Sequence, residues 1–553
     1  MTLSLRFTFS LLLTISVAPF VAAQDAADLM KLLPSDFAVT VVVHDLKSNH
    51  ARWEKSNWWK AFHGSIVGKR FAESPEMQQF RRWQDDLKKH FQLDWPTLRD
   101  DILGGTIVLS YSPGDKTKPD SERGIILVRA TKAESLTRLV ERLNELQKQT
   151  GELKSLTTLE HAGAKYHRRL QGGKAHYYAM FDSLFAITPN EDSLKEMLAR
   201  RRDGGLDSPW IKRFRQAGIE GAIATLCVNP RKVEPDFGPG VKKTDELPSY
   251  WRALDAIFVT MNVSDNAELR VSIQAKTDEL PAWARGSFTR SLERSELWDR
   301  LPERSLLTFA GYTDFVGAGT ALRLLLPDKD RGKIKEQVPG IVFDMVKEML
   351  PSLGPDWGAC VLPAGNADEL PRGLFALRVK PGSKKTPIEA DFIQAIHLLV
   401  AFKVGEYNAA NPNSPIAIRS AMRGKVEIKY LENAKFPRGF QPAWALKDGY
   451  LLAASSPDTF DDFRKTDAKA IVGKDTPILR LSTSELAKLL DQRRDHVLAT
   501  LARQPDGVEG DAKRNLENVI SLFQLFDTFT LSQHGAAGQT SWMLRLTPAS
   551  AKN

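Results

Sequence analysis

The chain has 553 residues and a formal net charge of +9, with 42% of its residues hydrophobic and 26% charged. Its length asks for more than one domain, and its composition excludes a disordered polymer, a coiled coil and a collagen-like repeat. The basic excess is scattered, with Arg200-Arg201-Arg202 its densest cluster, which fits loose attraction to anionic envelope polymers and excludes the concentrated stripe of a nucleic-acid site.

The first element is a leader. Arg6 is the single charge before Asp25, Phe7 to Phe20 is apolar or small around Leu11-Leu12-Leu13, and Val21-Ala22-Ala23 places small residues ahead of the polar Gln24-Asp25. This order predicts a signal peptide over residues 1–23, cut after Ala23. The apolar run falls short of the roughly 20 residues a membrane span takes, and the residue after the cut is Gln24, not the cysteine of a lipid anchor. No later stretch reaches membrane length. The mature chain is expected in the periplasm or outside the cell.

A strand is predicted from Phe37 to Val43, then helices over 53–67 and 75–91, the second with Phe80, Trp83, Leu87 and Phe91 at helical spacing. Segments 102–111 and 124–130 read as a strand pair, and 133–148 as an amphipathic helix. Short strands at 166–170, 176–181 and 184–188 follow, with Gly172-Gly173 and Asp182-Ser183 as turns. A helix over 191–201 and strands at 222–228, 257–263 and 269–275 close this half. Hairpin-spaced strands with intervening helices predict antiparallel sheets with helices packed on one face, an α+β class.

The second half repeats the first. Leu33-Pro34-Ser35-Asp36 before a strand returns as Leu301-Pro302-Glu303-Arg304, and Arg123-Gly124-Ile125-Ile126-Leu127-Val128-Arg129 as Arg372-Gly373-Leu374-Phe375-Ala376-Leu377-Arg378. The run from Ala179 to Pro189 returns as Ala445 to Pro457, and Leu254 to Thr260 as Phe526 to Leu531. Matches in one order predict two sister domains, 24–290 and 291–553. The layout resembles a family of exported bacterial proteins classed only as a domain of unknown function. The resemblance rests on Leu33-Pro34-Ser35-Asp36, Leu103-Gly104 and the segment Asp448 to Pro457. It implies export and architecture, and no chemistry.

No catalytic residue and no cofactor is assigned. G-x-S-x-G, H-E-x-x-H, P-loop and G-x-G-x-x-G patterns are missing from the sequence. Gly317-Ala318-Gly319 has no third glycine in register. Asp328-Lys329-Asp330-Arg331-Gly332 resembles the start of a calcium loop, but Pro339 stands where a bidentate Glu belongs. His161, His167 and His176 are the metal candidates, with His167 and His176 expected to face one another across the Gly172-Gly173 hairpin; solvent-facing strand histidines account for the same residues. His44 and Asp45 are expected on opposite strand faces, and the acid pairs Asp85-Asp86, Asp100-Asp101 and Asp461-Asp462 are expected to point apart. Cys227 and Cys360 lie in apolar runs and read as two buried thiols rather than a disulfide. Trp53, Trp58 and Trp59 are the candidate binding residues, an aromatic platform for a sugar or a partner surface; a helix burying Trp59, Phe62 and Ile66 is the alternative. Two functions follow: a non-enzymatic binding or structural protein of the cell envelope, partnered by an envelope polymer or protein, or an exported hydrolase whose site is assembled from distant residues.

Overall fold

Strands alternate buried and half-exposed residues along most of the chain, and this period of two sets the architecture. The computed structural model describes residues 21–34, 37–114, 122–217, 219, 222–233, 245–312, 353–366, 369–380, 388–465, 475–501 and 509–549. Residues 1–20 of the expected leader over 1–23, Ser35 and Asp36, the Gly317–Gly319 segment and the calcium-like turn at 328–339 lie outside these residues. The fold class is α+β, with antiparallel pairing throughout. The chain divides into two compact units, Met1–Pro281 with Ala537–Asn553, and Ala282–Ala536.

The first unit contains α1 (Val21–Met30), β1 (Val39–Val43), α2 (Leu46–Lys55), α3 (Asn57–Gly64), α4 (Ile66–Glu73), α5 (Pro75–Phe91), β2 (Ile107–Ser112), β3 (Arg123–Arg129) and α6 (Ala133–Gln149). It continues with β4 (Leu153–His161), β5 (Ala164–Gln171), β6 (Lys174–Phe181), β7 (Leu184–Thr188), α7 (Glu191–Arg202), α8 (Pro209–Gln216), β8 (Ala224–Val228), α9 (Glu246–Ala253), β9 (Leu254–Val263) and β10 (Ala267–Ala275). The last strand of the chain, β20 (Gln539–Pro548), pairs with β10, Ala267 opposite Leu546 and Gln274 opposite Gln539. The sheet order is β4-β5-β6-β7-β3-β2-β1-β8-β9-β10-β20.

One face of this sheet carries the core. Val42, Val108, Ile125, Leu127, Ala186, Cys227 and Phe258 pack against Leu29 of α1, Leu194 and Met197 of α7, and Ile211 and Phe214 of α8. Fully burying a side chain of this size is worth about 1.5–3 kcal/mol relative to leaving it exposed. Helix α6 takes the other face beside β7, where Leu136, Leu139 and Val140 meet Phe185. Helix α1 runs through the expected cut: Ala26, Leu29 and Met30, just beyond it, are core residues.

The second unit contains β11 (Leu307–Tyr312), β12 (Leu353–Leu362), β13 (Arg372–Val379), α10 (Ile388–Ala410), β14 (Ala417–Arg423), β15 (Val426–Glu432), β16 (Ala443–Lys447), β17 (Tyr450–Ala454), β18 (Thr476–Ser482), α11 (Thr483–Gln492), α12 (Arg494–Leu501), α13 (Glu509–Gln524) and β19 (Phe526–Ala536). Its order is β14-β15-β16-β17-β13-β12-β11-β18-β19. Ala310, Cys360, Leu374, Ala376, Leu452, Phe460 and Phe463 form its core. The β6–β7 and β16–β17 hairpins both turn on an aspartate in the left-handed region, Asp182 at φ 47° and Asp448 at φ 53°.

Two predicted elements differ. The helix expected over 53–67 is broken at Ser56 and Ser65, because each serine ends one helix and caps the next. The strand expected from Ile102 starts at Ile107, because Leu98–Ile102 closes a π-helical turn. Both cysteines are free and buried, Cys227 on β8 and Cys360 on β12. Burial pushes the Cys227 thiol well above its ordinary range and that of Cys360 up to about 12.

Candidate functional site

The tryptophan-rich segment is an arm of short helices built on a spacing of nine. Trp53, Phe62, Phe71 and Phe80 recur at that interval, and so do Ser56, Ser65 and Ser74, each three residues after an aromatic. The serines explain the breaks. The Ser56 backbone N–H donates to the Trp53 carbonyl at 2.9 Å, and its hydroxyl accepts from the Trp59 N–H at 3.1 Å. Ser65 does the same between Phe62 and Gly68, and Ser74 between Phe71 and Met77. Each serine thus satisfies groups at the end of one helix and the start of the next. Gly68 is required at the α3–α4 bend, since a Cβ there would run into the Phe62 carbonyl.

The rings of the arm touch each other. Trp53 lies 5.3 Å from Trp58 and 5.4 Å from Trp59, Trp59 lies 4.0 Å from His63, and Phe62 lies 5.9 Å from Phe71. Trp53 also packs on Ile223, Val263 and Met261, which roots the arm on the first unit's sheet. The three tryptophans are half-buried and set at steep mutual angles, so they form a cluster rather than a flat platform. No residue of α3 is buried, and in α4 only Gly68 is; Ile66 is 49% exposed and Phe71 44%.

The histidine candidates fall on β4–β6. The hairpin pairs His167 with Tyr178 and Arg169 with His176, so His167 and His176 are diagonal neighbours and do not face one another. The cause is register: the Gly172-Gly173 turn places residue 169, not 167, opposite 176. Thr158 opposes His167 while His161 opposes Ala164, which puts His161 on the other face. Burial holds both His167 and His176 below the ordinary histidine value, and Arg169 lowers His176 further. Arg169 is buried on the same face, donating to Gln147 of α6, so a cation placed between the histidines would meet a guanidinium. The His167 ring stacks on Tyr178 at 4.8 Å, and Asn144 donates to the Tyr178 hydroxyl at 3.1 Å. Among the described residues no group of three or more His, Cys, Asp or Glu side chains is placed to hold a metal ion.

The groupings at Ser291–His534 and at His50 were not singled out from sequence. In the second unit Ser291 Oγ lies 3.3 Å from His534 Nδ1, and Asp475 lies 4.0 Å from the same nitrogen. A proton relay needs serine and aspartate on different ring nitrogens; here both address Nδ1. Ser291 Oγ also accepts from the Gly535 N–H at 3.0 Å and fastens the segment before Leu292 to β19. At His50, Nδ1 faces Glu54 at 3.6 Å, but Nε2 accepts from Arg99 Nη1 at 3.0 Å, leaving no basic nitrogen open. His44 Nε2 meets the Thr225 hydroxyl at 2.9 Å inside the sheet, while Asp45 caps α2.

A further grouping surrounds the buried Tyr450. Its hydroxyl donates to Asp356 Oδ2 at 2.6 Å, and the Arg378 guanidinium sits 4.9 Å from its ring centre. Burial, then the Asp356 carboxylate, push this phenol above its ordinary range, so it stays protonated as a donor. The one signal in sequence is Asp356 at an inward-facing position of β12. The adjacent acids do part: Asp100 binds Arg99 and Asp101 binds Lys132, while Asp461 meets Arg423 and Asp462 meets Arg372. Among the described residues no helix is long and apolar enough to cross a membrane. Compared with family models, with curated proteins and with solved structures, the chain matches none.

Proposed function

We propose that this protein is exported, processed after Ala23, and acts in the cell envelope as a non-catalytic binding or structural protein made of two sister domains. The observation that carries the non-catalytic reading is the way its histidines are engaged. His44, His50 and His534 each use a ring nitrogen on a group that joins two elements, and Ser291 and Asp475 converge on one nitrogen instead of two. Such arrangements hold backbone segments together and relay no proton.

Duplication is supported by strand order. Advancing every label by ten turns β4-β5-β6-β7-β3-β2-β1-β8-β9 into β14-β15-β16-β17-β13-β12-β11-β18-β19. The left-handed aspartates Asp182 and Asp448 stand at equivalent hairpins, the residues already matched in the sequence repeat. Processing near Ala23 is supported by the order of Arg6, the apolar run and Val21-Ala22-Ala23 in the sequence. The resemblance to exported bacterial proteins agrees with it.

Two experiments test this reading. N-terminal sequencing of protein recovered from an exporting host should return Gln24, and Met1 would overturn processing. Cross-linking in intact envelopes followed by affinity recovery should enrich an envelope polymer or protein, and a profile equal to the untagged control would overturn the binding role. A hydrolase is the second reading, carried by the closeness of Ser291 and His534. It requires turnover of an ester, amide or glycoside that Ser291→Ala abolishes.

A further inference from the structure

We infer that the arm formed by α3 and α4 is a docking surface for anionic phospholipid. Between Glu54 and Glu73 the chain carries no acidic residue and four cations, Lys55, Lys60, Lys69 and Arg70, among Trp58, Trp59, Phe62, Ile66, Val67 and Phe71. Lys60 and Lys69 are exposed, as are the large apolar side chains of Ile66 and Phe71. Ile66 stands three and four residues before Lys69 and Arg70, so on α4 an apolar side chain and two cations share one stretch of surface.

The helices are amphipathic, yet the protein buries none of α3 and only Gly68 of α4. An amphipathic helix with basic residues and exposed large apolar side chains, here Ile66 and Phe71, matches an interfacial helix lying in the headgroup region. There Phe71 and Ile66 would enter the acyl boundary, half-buried tryptophans would sit at headgroup depth, and the lysines would meet phosphates. The serine caps satisfy helix-end groups internally at 56, 65 and 74, so a segment with three breaks brings few bare backbone groups to the lipid. Charge selects the lipid: four cations against the single acid Glu73 at the end of α4 leave the patch net cationic, which favours phosphatidylglycerol-type over zwitterionic headgroups. The envelope reading supplies the setting in which such a surface would be met, and the vesicle test does not depend on it.

The test sediments the purified full chain, its first residue read by N-terminal sequencing, with vesicles of phosphatidylcholine alone or mixed with phosphatidylglycerol. Partition onto the anionic vesicles should exceed that onto neutral ones by about tenfold or more and fall as salt rises. Ile66→Ser with Phe71→Ser should lower it by about tenfold or more, and Lys60→Ala with Lys69→Ala by on the order of tenfold. Leu398→Ser, at a 68% exposed position of α10, should leave it within about twofold of wild type and so separates the arm from general stickiness. Unchanged binding by both double variants, an equal loss in Leu398→Ser, or retention by a soluble polyanion with none by vesicles would overturn the assignment. Photoactivatable phosphatidylglycerol on the wild-type protein reads the same question if a variant misfolds: label should fall within residues 55–72, and label elsewhere overturns it. Met1 at the N-terminus would remove the export reading while leaving the vesicle result standing, and Gln24 with no vesicle binding would do the reverse.

Discussion

Helices α7 and α8 and helices α3 and α4 belong to the same unit and are held in opposite ways. The first pair sinks Leu194, Met197, Ile211 and Phe214 into a shared core. The second pair sinks only Gly68, and its shape comes from serine caps and ring contacts within the arm. Apolar burial therefore fixes where α7 and α8 lie, while the arm takes its shape from local hydrogen bonds and ring contacts and leaves Ile66 and Phe71 exposed.

The sharpest way to break this contrast is Phe214→Ala, which empties a fully buried site and should cost about 3–5 kcal/mol in chemical denaturation; a loss under about 1 kcal/mol would show that the core does not depend on α8. Tyr450→Phe asks whether buried polar pairs in the second unit behave like its apolar core. It strips the Asp356 carboxylate of a donor inside the protein and should cost about 1–3 kcal/mol, whereas unchanged stability would mean that water or another donor replaces the hydroxyl. Ser65→Ala should cost about 1 kcal/mol. That loss should appear as faster amide exchange in α3 and α4 with little change in the global midpoint; a purely global loss would merge arm and core into one cooperative unit.

The smallest expected effect depends on pH. Tyr166 donates to Glu191 at 2.7 Å, and this bond, with Lys195, holds the Glu191 carboxyl below its ordinary value. A depressed carboxyl stabilises the fold above its unfolded pKa and loses that contribution as pH falls through the folded one. The stability gap between wild type and Tyr166→Phe should be present at neutral pH and narrow toward pH 3. A gap that stays constant with pH would assign Tyr166 to packing alone.

The strands were legible because inward residues such as Val42, Val108 and Leu127 alternate with outward ones, and the hairpins because Asp182-Ser183 and Gly172-Gly173 leave few other turns. The strand at Leu153–His161 leaves no such mark in the sequence, since most of its side chains face solvent and carry no apolar period. The three-way break of the arm was written in Ser56, Ser65 and Ser74, but a window tuned to helical apolar spacing runs through a serine without registering a cap. His167 and His176 fall on the expected strands but two residues out of register, because a two-residue turn at Gly172-Gly173 sets Gln171 opposite Lys174 and hence Arg169, not His167, opposite His176. The Tyr450–Asp356 pair joins residues far apart in sequence, and pattern alone does not bring them together.

One pairing bears on the order in which the molecule is made. β10 finds its second neighbour in β20, which the ribosome produces more than two hundred and fifty residues later. Until those residues arrive, β10 is an open edge whose backbone donors and acceptors face solvent. A chain emerging N-terminus first is thus made almost to its end before the sheet of its first unit can close. A copy stopped at Ala536 would keep all the apolar core of α1, α7 and α8 and still present a raw edge to its neighbours, so its failure would be precipitation rather than unfolding.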